Sequence, residues 1–405
     1  MIKKERKIEE NFLNSNVFTF ESYSCNCKIT TSSENFSNEP LLAIELKANI
    51  NNKISFAYGS KVGLVRLNED GSVAESNILG KLVAISPNDI GGYVSFFNAN
   101  GFLVPLPSNK TTIIGITELQ NLIDRLHATL ELMSTITNKS KSSYEKIVRM
   151  IFYHLFMPTF TLETNNDKIK YSDKTKHEYK EFLEHNRESK RDPRLEDTFN
   201  NENFNFVDNI ATFSLNANFV DSMLKGHPSD NKFETPVFQN VFTVYCASRK
   251  DKPLPMLFIN DFLFHYFYEV GIIYRANLDK VWYANNECNQ DNFSEKLKNV
   301  ATKIAKNIIK EELERNLKTV RPTYNTDTLE PTWKMDSLLS ALYFGLFYMK
   351  PNLETYRRCA NLKCGEFFLV PISSRKKKYC CRACMNRTMA ANKRARDKLK
   401  GSAQE

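Results

Sequence analysis

Five of the nine cysteines in this 405-residue chain fall within "CANLKCGEFFLVPISSRKKKYCCRACMNR", residues 359–387. Four residues separate Cys359 from Cys364, fifteen more precede Cys380, and three separate Cys380 from Cys384. Two short-spaced thiol pairs at this distance suit a tetrahedral S4 zinc site. Each pair supplies two ligands from one tight turn, and the connecting loop brings the turns together. Zinc favours thiolates because they are soft, strongly donating ligands. Binding contributes folding energy on the order of 10 kcal/mol or more, which a short tail with few aliphatic side chains needs. Cys381 is a fifth thiol, and spacing alone admits either Cys380/Cys384 or Cys381/Cys384 as the second pair. The usual cysteine runs of iron–sulfur proteins are absent from the sequence. Redox use would need a reactive, low-pKa pair, and a structural zinc serving protein contacts alone is a further alternative.

Charge singles out the same region. From Tyr356 to Glu405 there are fourteen Lys and Arg against three acidic residues, giving +11. The other 355 residues carry 42 basic and 44 acidic side chains, or −2, in keeping with the total of +9. A positive field confined to one segment points to a polyanionic partner, nucleic acid first. "SRKKKY" (374–379) precedes the second thiol pair, and Arg382 and Arg387 lie inside and just after it. "MNRTMAANKRARDKLK" has the alanine, lysine and arginine content of a helix. On that helix Arg387, Arg394 and Lys398 would share a face, with Lys393, Arg396 and Lys400 nearby.

The cysteines also depend on compartment. "MIKKERKIEENF" is charged with no apolar run behind it, which is no secretory signal. The most apolar stretch, Pro253 to Tyr274, is broken by Asp261, His265 and Glu269 and reads as a buried helix, not a membrane span. The expectation is a cytoplasmic protein, where clustered thiols are metal ligands more often than disulfides. Cys25, Cys27, Cys246 and Cys288 are scattered, and the C-x-C of Cys25 and Cys27, with no second pair near in sequence, reads as plain strand residues.

Along the chain the period of the apolar pattern changes. Residues 1–115 read as β-rich, with hairpins expected at Asn51-Asn52, at Asp70-Gly71 and around Asn98 to Gly101. After Thr117, Leu119, Leu122, Ile123, Leu126, Leu130 and Met133 follow helical spacing, with Gln120 placed for a capping box. Tyr144 to Phe156 predicts a second helix ended by Pro158. Residues 165–203 are highly polar, and helical signals resume near Asp208. Phe293 to Leu317 predicts an amphipathic helix with Leu297, Val300, Ile304, Ile308 and Leu313 as its stripe. Asp336 to Met349 is apolar nearly all round and predicts a central helix. A chain this long predicts more than one domain.

The C-terminal residues carry a resemblance. "RRCANLKCGEFFLV…RKKKYCCRACMNRTMAANKRAR" resembles the bacterial CGNR-type zinc finger. That pattern has a cysteine pair, an aromatic after the second ligand, a basic loop, an aromatic before the third ligand, and a fourth ligand leading into Gly-Asn-Arg. Phe367 and Phe368, Tyr379, and Cys384-Met385-Asn386-Arg387 match these places. Met385 stands where the family has glycine, and three residues separate Cys380 from Cys384 where members often have four. The resemblance covers about 45 residues by this alignment of motifs and implies zinc ligation by Cys359, Cys364, Cys380 and Cys384. It also implies a DNA-binding transcription regulator.

Upstream, Glu45-x-Lys47 resembles the metal-and-lysine end of restriction-like nuclease cores, but no partner aspartate accompanies it. The six histidines (His127, His154, His177, His185, His227, His265) have no tight ligand spacing, and no P-loop, G-x-G-x-x-G or G-x-S-x-G occurs. No catalytic residue is assigned. The expected fold class is α+β: a β-rich part over 1–115, a mainly helical part over 116–355, and a small treble-clef-like zinc module over 356–405. The nucleic-acid contacts expected are Arg375, Lys376, Lys377, Lys378, Arg382, Arg387, Lys393, Arg394, Arg396 and Lys398. Duplex DNA is favoured over RNA as partner, with no membrane association and a small-molecule or protein effector on the body. The alternatives are an RNA-binding factor or a nuclease that uses the finger as a substrate clamp.

Overall fold

The computed structural model describes residues 16–32, 41–59, 62–107, 110–137, 141–156, 161–163, 168–170, 288–326, 329–374 and 376–401. It also describes positions from 259 to 283 other than 260, 261, 264, 267, 268 and 272. Cys246, the polar stretch 165–203 apart from 168–170, the helical signals from 208, Pro158, His177, His185, His227 and Arg375 lie outside the described residues, as do the side chains of 396–400. Two compact units form the chain: Met1–Thr137 with Thr161–Ile169 and Lys310–Glu405, and Asn138–Phe160 with Lys170–Ile309. The architecture is α+β, with a β-rich N-terminal part, helices in the middle and a cysteine cluster near the C-terminus.

In the first unit, β1 (Asn16–Ser32) and β2 (Leu41–Gly59) pair antiparallel along most of their length. β3 (Gly63–Leu67) and β4 (Val73–Glu75) extend the sheet, and the Asp70-Gly71 turn joins them as expected. Gly71 takes φ +78° there, and Asp70 Oδ1 accepts from Ser72 N at 2.9 Å. The hairpin expected at Asn51-Asn52 does not form. Tyr23 faces Lys53 while Ser24 faces Asn49, so Ile50, Asn51 and Asn52 bulge out of one continuous strand. The 17-residue β1 is long enough to pair with both halves of β2, so the chain need not turn back.

The third expected hairpin is also absent. After the short helix α1 (Ile78–Leu82) comes α2 (Ile90–Asn100), whose N-cap Asp89 accepts from Gly92 N at 2.8 Å. Tyr93, Phe96, Phe97 and Asn100 are buried at helical spacing, and Gly101, at φ +75°, ends the helix. The paired phenylalanines suit a strand by composition, but the cap and the three-four spacing decide for helix. Asn98 then docks α2 on β1. Its Oδ1 accepts from Cys27 N at 2.7 Å and its Nδ2 donates to Cys27 O at 3.0 Å, satisfying backbone groups on the edge strand.

β5 (Thr111–Gly115) pairs with the first half of β2 and leads directly into α3 (Ile116–Thr135). The apolar stripe of α3 is buried as predicted, but its N-cap is Gly115 with no side-chain cap. Gln120 donates to Pro87 O instead of forming a capping box. Arg125 on α3 is fully buried, which its residue type gives no reason to expect.

The second unit centres on α4 (Lys141–Phe156). Its buried Phe152 and Tyr144 meet Tyr266 and Phe293 with ring centroids 5.4 and 6.2 Å apart. The short ladder β6 (Thr161–Glu163) with β7 (Lys168–Lys170) falls in the first unit up to Ile169, whereas β8 (Ile273–Ala276) with β9 (Val281–Tyr283) belongs to the second.

Helix α5 (Glu295–Asn316) buries Leu297, Val300, Ile304 and Ile308 as expected. At its last turn the stripe continues through Glu312 and Asn316 and not through Leu313. Glu312 meets the guanidinium of Arg125, with Arg125 Nε 2.6 Å from Glu312 Oε2. The hairpin β10 (Arg321–Asn325) and β11 (Glu330–Lys334) leads to α6 (Leu338–Tyr348), buried on every side from Leu338 to Leu346. Phe344 packs against Phe18 at 4.9 Å between ring centroids, and Phe18 stacks on Tyr58 at 5.2 Å.

Candidate metal centre

The last three elements carry the cysteines. β12 (Glu354–Arg358) and β13 (Phe367–Pro371) form an antiparallel hairpin whose tip holds Cys359 and Cys364. α7 (Arg382–Gly401) begins just after Cys380 and carries Cys384 in its first turn. A turn pair and a helix-start pair thus converge in a treble-clef-like arrangement. Cys359, Cys364, Cys380 and Cys384 have their Sγ atoms all within 4.8 Å of one another. Cys380 Sγ lies 3.6 Å from both Cys364 Sγ and Cys384 Sγ. Four sulfurs at 2.3 Å from a central zinc would be about 3.8 Å apart by tetrahedral geometry, close to the spacing observed. The four cysteines therefore make a cluster that could hold a metal ion. Cys381 is exposed, 3.9 Å from Cys380 Sγ and outside the set, so the turn places Cys380 and not Cys381 among the four.

Hydrogen bonds fix the tip. Cys359 N donates to Glu366 O at 2.8 Å, Cys364 N to Asn361 O at 2.8 Å and Gly365 N to the same oxygen at 3.1 Å. Gly365 sits at φ +65°, where a side chain would strain the turn. Ala360 N donates to Lys378 O at 2.9 Å, tying the basic loop to the tip. Phe368 and Val370 pack beneath the thiols, with Tyr379 beside them, so water is excluded from one side.

The thiols do not share one acidity. Burial opposes ionisation of Cys359. Backbone groups of Cys380 and Asn361 bond to its sulfur and outweigh that burial, so its pKa lies below the usual value. Burial pushes Cys364 up to about 11. Burial and then the Cys384 and Cys364 sulfurs push Cys380 well up. Four sulfurs this close cannot all ionise by themselves. A bound dication removes that penalty, which fits the donor set to a metal.

The module is packed into the first unit. Asn77 Nδ2 donates to Phe367 O at 2.5 Å, and His127 meets the Phe367 ring edge-on at 4.9 Å. Thr355 Oγ1 donates to Ser134 O at 3.2 Å, and Tyr356 N to Ser134 Oγ at 3.3 Å. α1 approaches so closely that a Cβ on Gly80 would lie 1.7 Å from Phe367 O. Asn77, Gly80 and Ser134 had no sequence signal for this role, since each lies more than 200 residues from its partner.

Of the expected nucleic-acid contacts, Lys376, Lys377, Lys378, Arg382, Arg387, Lys393 and Arg394 are exposed. Arg396 and Lys398 lie on α7, and Arg375 falls outside the described residues. Lys377 Nζ lies 5.3 Å over the Phe368 ring. Beyond Thr388, every described side chain of α7 from 389 to 395 is exposed, so no face of that stretch packs on the described chain.

Elsewhere, Glu45 pairs with Lys28 at 2.9 Å on the sheet, and His265 pairs with Glu269 at 3.1 Å. Cys25 and Cys27 are buried, with Cys25 Sγ donating to Phe97 O at 3.3 Å. Burial pushes each thiol from about 9 up to about 12. Below pH 9 both folded and unfolded chains keep these protons. Above it the unfolded chain releases them first, so stability falls as pH rises towards 12. The urea midpoint should therefore drop more steeply above pH 9 in the native chain than in Cys25→Ala/Cys27→Ala. Equal slopes would show that these thiols do not contribute.

Fold and cluster define an α+β protein with a C-terminal four-cysteine module that could hold a metal ion, seated on α1 and α3. Comparison with family models, curated proteins and solved structures finds no match to the chain. No helix among the described residues is long and apolar enough to cross a membrane.

Proposed function

We propose that Cys359, Cys364, Cys380 and Cys384 hold zinc in a CGNR-type finger, and that the finger binds duplex DNA as part of a transcription regulator. The observation that carries this is α7. A stable helix normally buries one face, yet residues 389–395 bury none while carrying Lys393 and Arg394. The segment Arg382–Gly401 holds seven basic residues and one acidic residue. A surface of that sign, with no packing partner among the described residues, suits a phosphate backbone.

Zinc would supply only the fixed geometry between the hairpin tip and the start of α7. Lys376, Lys377 and Lys378, with Arg375, would anchor phosphates from the loop. Arg382 and Arg387, at the helix start, would reach towards the groove, and Lys393, Arg394, Arg396 and Lys398 would follow the backbone. An open polar pocket of about 620 Å³, lined by Ser24, Asn52, Lys53, Arg66, Asn68 and Asn98, is where a small effector would bind the body.

The test is fluorescence anisotropy of labelled duplex DNA and RNA with the full chain across a salt series. Lys376→Gln/Lys377→Gln/Lys378→Gln should weaken binding to every sequence and flatten the salt slope by about one for each phosphate no longer neutralised. Tighter binding to RNA would replace the regulator with an RNA-binding factor. Metal-loaded chain that binds neither would end the nucleic-acid reading.

A further inference from the structure

Leu362 is 98% exposed, more than any other large hydrophobic among the described residues. It sits at the apex of the hairpin tip between Cys359 and Cys364, in a turn held by the bonds from Cys359, Ala360, Cys364 and Gly365. Lys363 N also donates to Asn361 Oδ1 at 3.2 Å, so the apex is hydrogen-bonded on both sides. A lone exposed leucine on a loose surface is ordinary. Here the apolar side chain projects from the turn that closes a two-stranded ribbon, next in sequence to Lys363 and in the same module as the basic loop that Lys378 ties to Ala360. Lys363, Lys377 and Lys378 are all exposed, and Lys378 is bonded to the tip through its carbonyl.

Sterics and charge together select one ligand. The major groove of B-form DNA is about 12 Å wide, and what would enter it is the exposed turn at Leu362 and Lys363, since strands β12 and β13 are packed on α1 and α3. Its floor carries one apolar feature, the 5-methyl group of thymine. The major groove of A-form RNA is too deep and narrow for such a tip. We infer that Leu362 packs on thymine methyl groups in the DNA major groove, while Lys363, Lys377 and Lys378 hold the phosphates on either side. This rests on the DNA-binding reading above and adds to it the base feature recognised. Resting against a methyl group, Leu362 would favour thymine by apolar burial without a hydrogen bond.

The measurement compares affinity of the full chain for oligo(dA)·oligo(dT) and for oligo(dA)·oligo(dU) of equal length, which differ only in the methyl groups. Native chain should bind the thymine duplex about fourfold more tightly per methyl buried. Leu362→Ala should bind the two duplexes equally and keep the native salt slope, since no charge is removed. The side chain touches solvent almost alone, so this variant should fold, which unchanged circular dichroism and metal content would verify. Salt-dependent binding of the native chain with no methyl preference would overturn the inference and leave DNA binding intact. A preference that survives in Leu362→Ala would overturn it as well. Binding to neither duplex would end the inference and the DNA reading together.

Discussion

Cys359→Ser and Cys384→Ser should each lose tightly bound metal, while Cys381→Ser keeps a full equivalent. The four sulfurs in the cluster lie within 4.8 Å of one another, and Cys381 Sγ lies outside, on an exposed turn. Metal at such a site contributes on the order of 10 kcal/mol or more to the structure it closes. Without it, nothing but backbone hydrogen bonds and a few side chains joins the start of α7 to the hairpin tip. The damage should nevertheless be local. β12 and β13 are held independently by Tyr356, Asn77 and Ser134, so the hairpin should persist while α7 and the loop 372–379 open. Metal content after dialysis, with limited proteolysis along the chain, checks both parts. New cleavage within 372–401 alone is the expected pattern. Full metal content in Cys359→Ser, or loss of metal in Cys381→Ser, would place the site elsewhere.

Arg125→Ala should destabilise the first unit by roughly 3–5 kcal/mol, the usual effect of breaking a buried ion pair from one side. Arg125 and Glu312 side chains are 0% and 2% exposed, and the guanidinium meets the carboxylate through both Nε and Nη2. Removing the cation leaves Glu312 buried, with Arg315 Nη1 at 3.5 Å as a remaining cation. A loss of that size is a large share of the 5–15 kcal/mol typical of a folded domain. Lysine is no substitute, because its point charge cannot reproduce the two-pronged contact. Arg125→Met/Glu312→Leu should be much milder than either single alanine, since neither partner is then left as a buried charge facing a gap. Urea midpoints of the full chain for the singles and the double decide it. A double variant as damaged as the singles would mean that shape, and not charge, dominates this contact.

The same pair shows how far the sequence can be read. Leu297, Val300, Ile304 and Ile308 announce the buried face of α5 because apolar type and helical position agree there. At the final turn they part: position 312 continues the face, but glutamate is by type a solvent residue, and leucine at 313 is the residue whose chemistry suits burial. Nothing local marks Glu312 as buried, since its partner lies 187 residues away. The bulge at Ile50 to Asn52 is a similar case. The asparagines signal an irregularity, but whether it becomes a turn or a bulge depends on the length of β1. Phe96 and Phe97 suit a strand until Asp89 caps the helix before them.

What the sequence determined by itself was local. The thiol spacing near Cys359 and Cys380, the Asp70-Gly71 turn, the period of α3 and α5 and the unbroken apolar run of α6 each rest on neighbours a few residues apart, where backbone geometry leaves few choices. Tertiary structure decided the rest. It set Cys380 and not Cys381 among the four sulfurs, buried Arg125 against Glu312, and seated the hairpin tip's strands on α1 and α3 through Asn77 and Ser134. Those outcomes depend on which distant segments pack together, and desolvation and close contact act only once they have met.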